Sequence, residues 1–153
     1  MSIRRGRYRA SMDIERGFEI DDPTAFVPWG IGEGDLADRL PHTVRRIADG
    51  YHTADCTALG GLLVTAGFHF RPRQDGVLHR VELFRGETLD LGTSYARFQD
   101  HLERTFGAPH RTGPGSGAYP HHEWRFGEVT IWHKVTARFS TEEQIVLDRT
   151  DAG

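Results

Sequence analysis

Nine histidines are the most chemically versatile side chains in this sequence of 153 residues. Histidine is the commonest metal ligand and the usual acid or base near neutral pH. His122 and His133 stand on two predicted strands whose hairpin register places them opposite each other. Such a pair can share a proton or hold zinc, with a third ligand from His52, His79 or Glu123. Two packed, hydrogen-bonded histidines on an apolar face are the structural alternative.

No complete catalytic motif accompanies the histidines. The sequence has no HExxH motif and no Cys-x-x-Cys pair, and the Gly/Pro-rich residues 112–117 lack the Lys-Ser/Thr of a phosphate-binding loop. Cys56 follows His52 by four residues, but no local signature supplies an oxyanion donor, so Cys56 is expected to act as a small hydrophobe. Glu142 and Glu143 are neighbours on one chain and point to opposite faces of a strand. The sequence therefore favours a protein without catalysis or cofactor, and zinc at the histidine pair is the alternative.

Two short helices are predicted from the hydrophobic pattern. Residues 35–40 begin with acidic side chains and end before Pro41, which stops a helix. Residues 94–106 place four large apolar side chains at the spacing of one helical face, and Gly107 with Pro109 ends them. Thr93 or Ser94 is the predicted cap. Residues 11–33 contain so many turn formers that no regular structure is expected there.

Three strands are predicted after each helix, joined by tight turns. The turns are Gly60-Gly61, Asp75-Gly76 and Gly127-Glu128, and the last strand is residues 144–149. In the first half these turns predict the facing pairs Leu59/Leu62, Thr57/Val64, Phe70/Val81, Phe68/Leu83 and, on the exposed side, His69/Glu82. In the second half they predict Phe126/Val129, Trp124/Ile131 and His122/His133.

These elements predict an α+β fold within a single domain spanning residues 1–153. One antiparallel sheet is built from two αβββ repeats, residues 34–84 and 93–149, with residues 1–33 as a lead-in segment. The helices are expected to pack on one face of the sheet, which leaves the other face wholly or partly open.

The open face carries the clearest sign of binding. Trp132 is predicted opposite Glu123, away from the apolar row of the same hairpin. The same face is predicted to hold His69, Arg71, Arg80, Glu82 and Arg125. Tryptophan and arginine are the usual anchors of protein interfaces, so these residues form the predicted binding site. The alternative is that a second layer or a second copy of the chain covers Trp132.

Composition excludes several other classes of function. The net charge is −3, and a nucleic-acid binder needs a basic stripe that only residues 4–9 resemble locally. No apolar run approaches the roughly 20 residues that cross a bilayer, and the first residues do not read as a secretion signal. One cysteine, Cys56, fits a reducing compartment. We expect a cytoplasmic protein that binds neither nucleic acid nor membrane.

A weak resemblance to known proteins follows from this organisation and from Phe106-Gly107-Ala108-Pro109 at the end of the second helix. A helix followed by three strands resembles the outer-membrane assembly lipoproteins of the BamE/SmpA type. The doubled unit looks like the tandem repeat of β-lactamase inhibitory protein, although the chain has no lipobox cysteine and no disulfide pairs. The resemblance implies a protein-binding module, such as an inhibitor or immunity-type protein. The alternatives are a small histidine-based enzyme or metal-binding protein, and a homodimeric protein of unknown function.

Overall fold

A computed structural model describes residues 14–22, 24–40, 44–71, 75–85, 90–115, 119–136 and 142–150. Residues 14–16 form a helical turn before the first strand. The elements that follow are β1 Gly17–Asp22, β2 Ala25–Pro28, α1 Glu33–Arg39, β3 Val44–Ala48, β4 Tyr51–Ala58, β5 Leu62–Phe70, β6 Leu78–Arg85, α2 Leu91–Phe106, β7 Arg111–Gly113, β8 His121–Phe126, β9 Val129–Thr136 and β10 Glu142–Arg149.

The ten strands form one antiparallel sheet. Its order is β2-β1-β4-β5-β6-β10-β9-β8-β7, and β3 pairs with the part of β4 that β1 leaves free. Strands β3 to β6 are consecutive antiparallel neighbours, and so are β7 to β10. The pair β6–β10 joins the two groups, with Val146 opposite Glu82. This long-range pair places the middle of β10 at the centre of the sheet.

One face of the sheet is the hydrophobic core. Side chains alternate along each strand, so Phe68, Leu83, Ile131 and Leu147 all point to the same side and are buried. Three apolar side chains of α2 and Leu36 of α1 join this core. On each long strand, the alternate positions with apolar side chains therefore face the core, and the positions between them, which are mostly polar, face the opposite side of the sheet.

The predicted α+β class with two αβββ repeats is wrong. The described residues are mostly β, in one large sheet of ten strands, and the few short helices do not form a layer on one face. α1 has only seven residues and packs against β2, a strand of the supposed lead-in. Residues 17–28 form β1 and β2 because Phe18, Ile20 and Val27 supply buried apolar side chains on alternating positions.

Both helices lie where the sequence pattern predicts them, but the residue that caps α2 differs from the prediction. Residues 35–39 and 94–106 are helical as predicted, within α1 and α2. The cap of α2 is Asp90 rather than Thr93 or Ser94, since its carboxylate accepts a hydrogen bond from the Thr93 amide at 2.9 Å. Gly107 ends the helix with a φ of +88°, a conformation that favours glycine.

The predicted hairpin register is correct for β8–β9 and wrong for β4–β5 and β5–β6. The three pairs of β8 and β9 are confirmed, including His122 opposite His133. In β4–β5 the prediction is wrong by one residue, because Ala58 faces Leu62 and Cys56 faces Val64. The turn contains Leu59 as well as the two glycines, and Leu59 adopts a φ of +52°. The backbone amides of Gly60 and Gly61 in this turn both donate to the Asp21 carboxylate, at 2.8 and 3.0 Å. The sequence around the turn gives no sign of this contact, because Asp21 lies far away in the chain.

The β5–β6 register was predicted wrongly by about two residues. Phe68 faces Val81, Phe70 faces Leu78, and His69 faces Arg80 instead of Glu82. A register irregularity between His69 and Phe70 increases the difference to three residues at Phe70. A shift of two keeps every side chain on its predicted face, so the separation of core and open faces is unaffected.

In the part of the chain that the structure describes, neither helix combines the length and the apolar character that crossing a membrane requires. The basic residues 4–9, Pro41 and residues 116–117 of the Gly/Pro-rich stretch lie outside the described residues.

Candidate functional site

A buried polar cluster lies on the core side of the sheet, between β9, β10 and α2. His133 is central: its Nε2 is 2.5 Å from Glu143 Oε2, and its Nδ1 is 2.8 Å from Gln99 Oε1. The hydroxyl of Ser94 donates to the other oxygen of Glu143. We call these four residues the Glu143 cluster. The side chains of His133 and Glu143 are 0% and 2% exposed, so solvent does not reach the pair.

Tyr95 and His122 cover one side of this cluster. The Tyr95 ring stacks on His133 with 4.1 Å between centroids, and its hydroxyl lies 2.8 Å from His122 Nδ1 and donates to the Pro120 carbonyl. Burial, together with the nearby Glu143 carboxylate, raises the pKa of Tyr95 to about 12. Burial and the neighbouring His133 lower the pKa of His122. Both groups are therefore held in their neutral forms near pH 7.

The connectivity of the Glu143 cluster does not suit nucleophilic catalysis. A serine nucleophile needs an imidazole beside its hydroxyl to accept the proton, with the carboxylate on the far side of that imidazole. Here the order is Ser94, Glu143, His133, so the carboxylate separates the hydroxyl from the ring. The side chains satisfy one another, as buried polar groups in a folded core normally do.

The predicted zinc site at His122 and His133 stays an untested prediction. The two rings lie 6.5 Å apart between centroids, and both ring nitrogens of His133 already have hydrogen-bond partners. Among the described residues, no group of three or more histidine, cysteine or carboxylate side chains is arranged to hold a metal. Of the suggested third ligands, His52 lies on β4 and pairs with Glu33 at 2.8 Å.

Cys56 has the environment of an inert thiol. Its side chain is buried on β4, opposite Val64. Burial, with the charges of Asp55 and Asp21, raises the pKa of Cys56 to about 11. Since the thiolate is the nucleophile, Cys56 is almost entirely unreactive at neutral pH.

The open face is the side of the sheet opposite the core, and its central row runs across four adjacent strands. Glu82, Val146, Trp132 and Glu123 face one another in turn on β6, β10, β9 and β8. The Trp132 indole N–H donates to Glu123 Oε1 at 2.9 Å. This bond fixes the orientation of the indole ring across the sheet.

A groove runs along β10 on the open face. Two of the open-face residues of β10, Gln144 and the buried Val146, form the floor. Longer side chains on both neighbouring strands form the walls. We call this depression of about 200 Å³ the β10 groove, and it is lined by Arg80, Glu82, Trp132, Lys134, Gln144 and Val146.

Most charges around the β10 groove are paired. Arg80 Nη2 lies 3.2 Å from Asp148 Oδ2, and Glu82 Oε1 lies 2.8 Å from His69 Nε2. The close contact with His69 is the main cause that lowers the pKa of Glu82, with Arg80 and Lys134 contributing. Lys134 lies over the Trp132 ring, 5.9 Å from its centroid. Within the described ranges, no carboxylate lies at ion-pair distance from Lys134.

Tyr51 extends the open face beyond the groove. Its ring stacks on His69 with 4.5 Å between centroids and lies over Gly67. A Cβ on Gly67 would be 2.8 Å from the Tyr51 hydroxyl oxygen, so glycine gives the ring room to lie flat on the sheet. Burial, together with the charge of Glu82, raises the pKa of Tyr51.

The residues predicted for the binding site do not all come together. Arg80, Glu82 and Trp132 line the groove, and His69 and Glu123 border it through the contacts above. Arg71 instead forms two hydrogen bonds with Asp75 in the β5–β6 connection. Arg125 is exposed on β8, opposite Thr130. Sequence reasoning missed Lys134, Gln144 and Val146, although alternation along β9 and β10 places them on the face of Trp132.

Comparison with known proteins gives a fold and nothing more. No family model matches the chain, and no curated protein matches it. The crystal structure of a DUF4309 family protein (YjgB) from Bacillus subtilis subsp. subtilis str. 168 is similar, with a TM-score of 0.50 and 12% sequence identity over 97% of this chain and 95% of that one. An identity this low shows the fold alone, so the BamE/SmpA and β-lactamase inhibitory protein resemblances gain no support as families. The chain shares a fold-level likeness with this DUF4309 protein, and no specific family is identified.

Proposed function

We propose that this protein is a non-catalytic protein-binding module that binds its partner through the open face, with the β10 groove at the centre of the interface. The observation that carries the proposal is the pairing of Trp132 with Lys134 beside a groove on the open face, which lies away from the two described helices. The core-side cluster offers no comparable opening, because its groups are buried and bonded to each other. An inhibitor or immunity-type role is the specific form we favour.

The dimensions of the groove favour a protein partner over a small-molecule ligand. Pockets for small molecules usually measure about 300–1,000 Å³ and enclose most of the ligand. The β10 groove is about 200 Å³ and lies on a broad sheet face. Leu63 and Phe84 on the same face are 47% and 36% exposed, so the apolar surface extends past the groove. A protein partner would cover these side chains together.

Selection with a display library of genomic fragments from the source organism would test the proposal. Fragments that bind the wild-type chain would be measured against Trp132→Ala and against Arg104→Ala. Arg104 lies on α2, which packs on the core face of the sheet, and it pairs with Asp100 at 3.2 Å. A buried aromatic anchor typically contributes 2 kcal/mol or more, so we expect Trp132→Ala to weaken binding about 30-fold or more. Arg104→Ala should leave binding unchanged, and thermal unfolding would show that both variants fold.

Two results would count against the proposal. If the fragments bind Trp132→Ala as tightly as they bind wild type, the interface does not include Trp132 and lies elsewhere on the protein. A wild-type dimer in sedimentation velocity that Trp132→Ala dissociates would show that the open face is covered by a second copy of the chain.

A further inference from the structure

We infer that His133 and Glu143 together hold one proton more at neutral pH than the same two side chains hold in the unfolded chain. The pair is therefore a pH-sensitive switch in the fold, and a rise in pH weakens the contact between β9 and β10. The switch is independent of what binds the open face.

The amide of Gln99 is oriented so that its oxygen faces His133. Its Nε2 donates to Glu103 Oε2 at 3.0 Å, and Glu103 is an exposed carboxylate, which only accepts hydrogen bonds. The atom that lies 2.8 Å from His133 Nδ1 is therefore Gln99 Oε1. Because an amide oxygen also only accepts, Nδ1 of His133 must carry a proton.

A second proton lies on the other side of the His133 ring. His133 Nε2 is 2.5 Å from Glu143 Oε2. With no proton on either atom, two acceptors would face each other at this distance, which is repulsive. The proton resides either on Nε2, which gives an imidazolium beside a carboxylate, or on Oε2, which gives a neutral acid beside a neutral ring. Both forms contain two protons and leave the pair without net charge.

The surroundings of the pair penalise the loss of the second proton. That loss would leave a net negative charge on two side chains that are 0% and 2% exposed. The groups that face the pair are Ser94, Tyr95 and Gln99 on α2, with Glu103 beyond the Gln99 amide, and His122 on β8. Tyr95 and His122 are both neutral near pH 7. Within the described ranges, no lysine or arginine lies at ion-pair distance from Glu143, and a buried carboxylate without a cation is strongly destabilising.

The unfolded chain releases the same proton readily. An imidazole in water is half-protonated at about pH 6.5, and a glutamate is already ionised at that pH. Above about pH 6.5 the folded chain therefore binds one more proton than the unfolded chain. The stability that this proton contributes is fully present below about pH 6.5 and is lost as the pH rises.

Urea unfolding at pH 7 and at pH 8 would measure the extra proton. If the folded chain keeps the proton, the unfolding constant of wild type rises about eightfold between these two pH values through this pair. The double variant Glu143→Leu/His133→Phe removes both groups and keeps Cys56, whose thiol also begins to ionise in the unfolded chain at this pH. We expect the rise in wild type to exceed the rise in the double variant about eightfold. Ile131→Val, a control that shortens a buried apolar side chain of β9, should retain the wild-type rise.

NMR of the wild-type chain at pH 7 tests the same proton without any variant having to fold. The signals are the two ring nitrogens of His133 and the side-chain carboxyl carbon of Glu143. We expect a protonated Nδ1 together with a second proton, on Nε2 or on the Glu143 carboxyl group. A ring with one proton beside an ionised Glu143 would overturn the inference. An equal rise of the unfolding constant in wild type and in the double variant would overturn it as well.

Discussion

Replacement of Glu143 and His133, singly and together, should show that the buried pair stabilises the fold as one unit. Glu143→Leu leaves the Ser94 hydroxyl and His133 Nε2 without their partner. Each unsatisfied buried group costs about 1–3 kcal/mol, so the free energy of unfolding should fall by about 2–6 kcal/mol. His133→Phe leaves the Glu143 carboxylate buried without its ring partner, a change that costs about 3–5 kcal/mol.

The double variant Glu143→Leu/His133→Phe should lose much less than the sum of these two values. It removes the charge and the ring together, and only the Ser94 hydroxyl and the Gln99 side-chain oxygen remain unsatisfied. We expect a coupling free energy of about 2 kcal/mol, since groups in one hydrogen-bonded network are strongly non-additive.

Equilibrium unfolding in urea, followed by tryptophan fluorescence, measures all three variants. Glu143→Leu combined with Glu33→Gln is the control, because the two sites share no partner and should be additive within about 0.5 kcal/mol. Additivity of the Glu143 and His133 changes would refute the reasoning. Ser94→Ala leaves the buried Glu143 Oε1 without its donor, and a loss of about 1–3 kcal/mol is expected.

The remaining predictions concern backbone, pH and thiol chemistry. Gly17→Ala should lower the free energy of unfolding by more than about 2 kcal/mol, because its Cβ would collide with the backbone of β2. Gly34→Ala, inside α1 with open space around it, should raise that free energy by about 0.5–1 kcal/mol, and urea unfolding of both variants measures the contrast. The hydrogen bond from His52 is the main cause that lowers the pKa of Glu33. The pair therefore stabilises the fold above the ordinary glutamate pKa of about 4.3, and the stability difference between wild type and Glu33→Gln should shrink as acid titration protonates Glu33. A difference that grows on acidification would contradict this sign. Cys56 should react with a thiol reagent at pH 8 only after urea unfolds the chain, and prompt reaction of the folded protein would disprove its burial.

The β8–β9 hairpin in the second half of the chain could be predicted from its local sequence. Strands β8 and β9 meet at a two-residue turn, and both carry large apolar side chains on alternating positions. The turn fixes the register and the alternation fixes the face, so His122 opposite His133 was predictable. In β4–β5, Asp21 hydrogen-bonds to the turn from far along the chain, and the register moved by one residue.

The strands that sequence reasoning missed are those with the weakest local signals. β3 is exposed along most of its length, so it has no apolar alternation to detect. β7 has three residues, too few to establish a period. β1 and β2 lie in a segment with many turn formers, and their pairing with the rest of the sheet through β4 is a tertiary contact. The fold class was wrong because these four strands turn a two-repeat arrangement into a ten-stranded sheet.

The Glu143 cluster and the β10 groove use alternate residues of the same two strands. On β9, His133 points into the core, while Trp132 and Lys134 point to the open face; on β10, Glu143 and Gln144 divide in the same way. The short contact between His133 and Glu143 therefore ties β9 to β10 directly beneath one wall and the floor of the groove. A binding site gains from side chains whose positions are fixed before the partner arrives, because less conformational entropy is lost on association. If the open face binds a partner as we propose, the part of the buried cluster is to hold in register the two strands that present Trp132, Lys134 and Gln144.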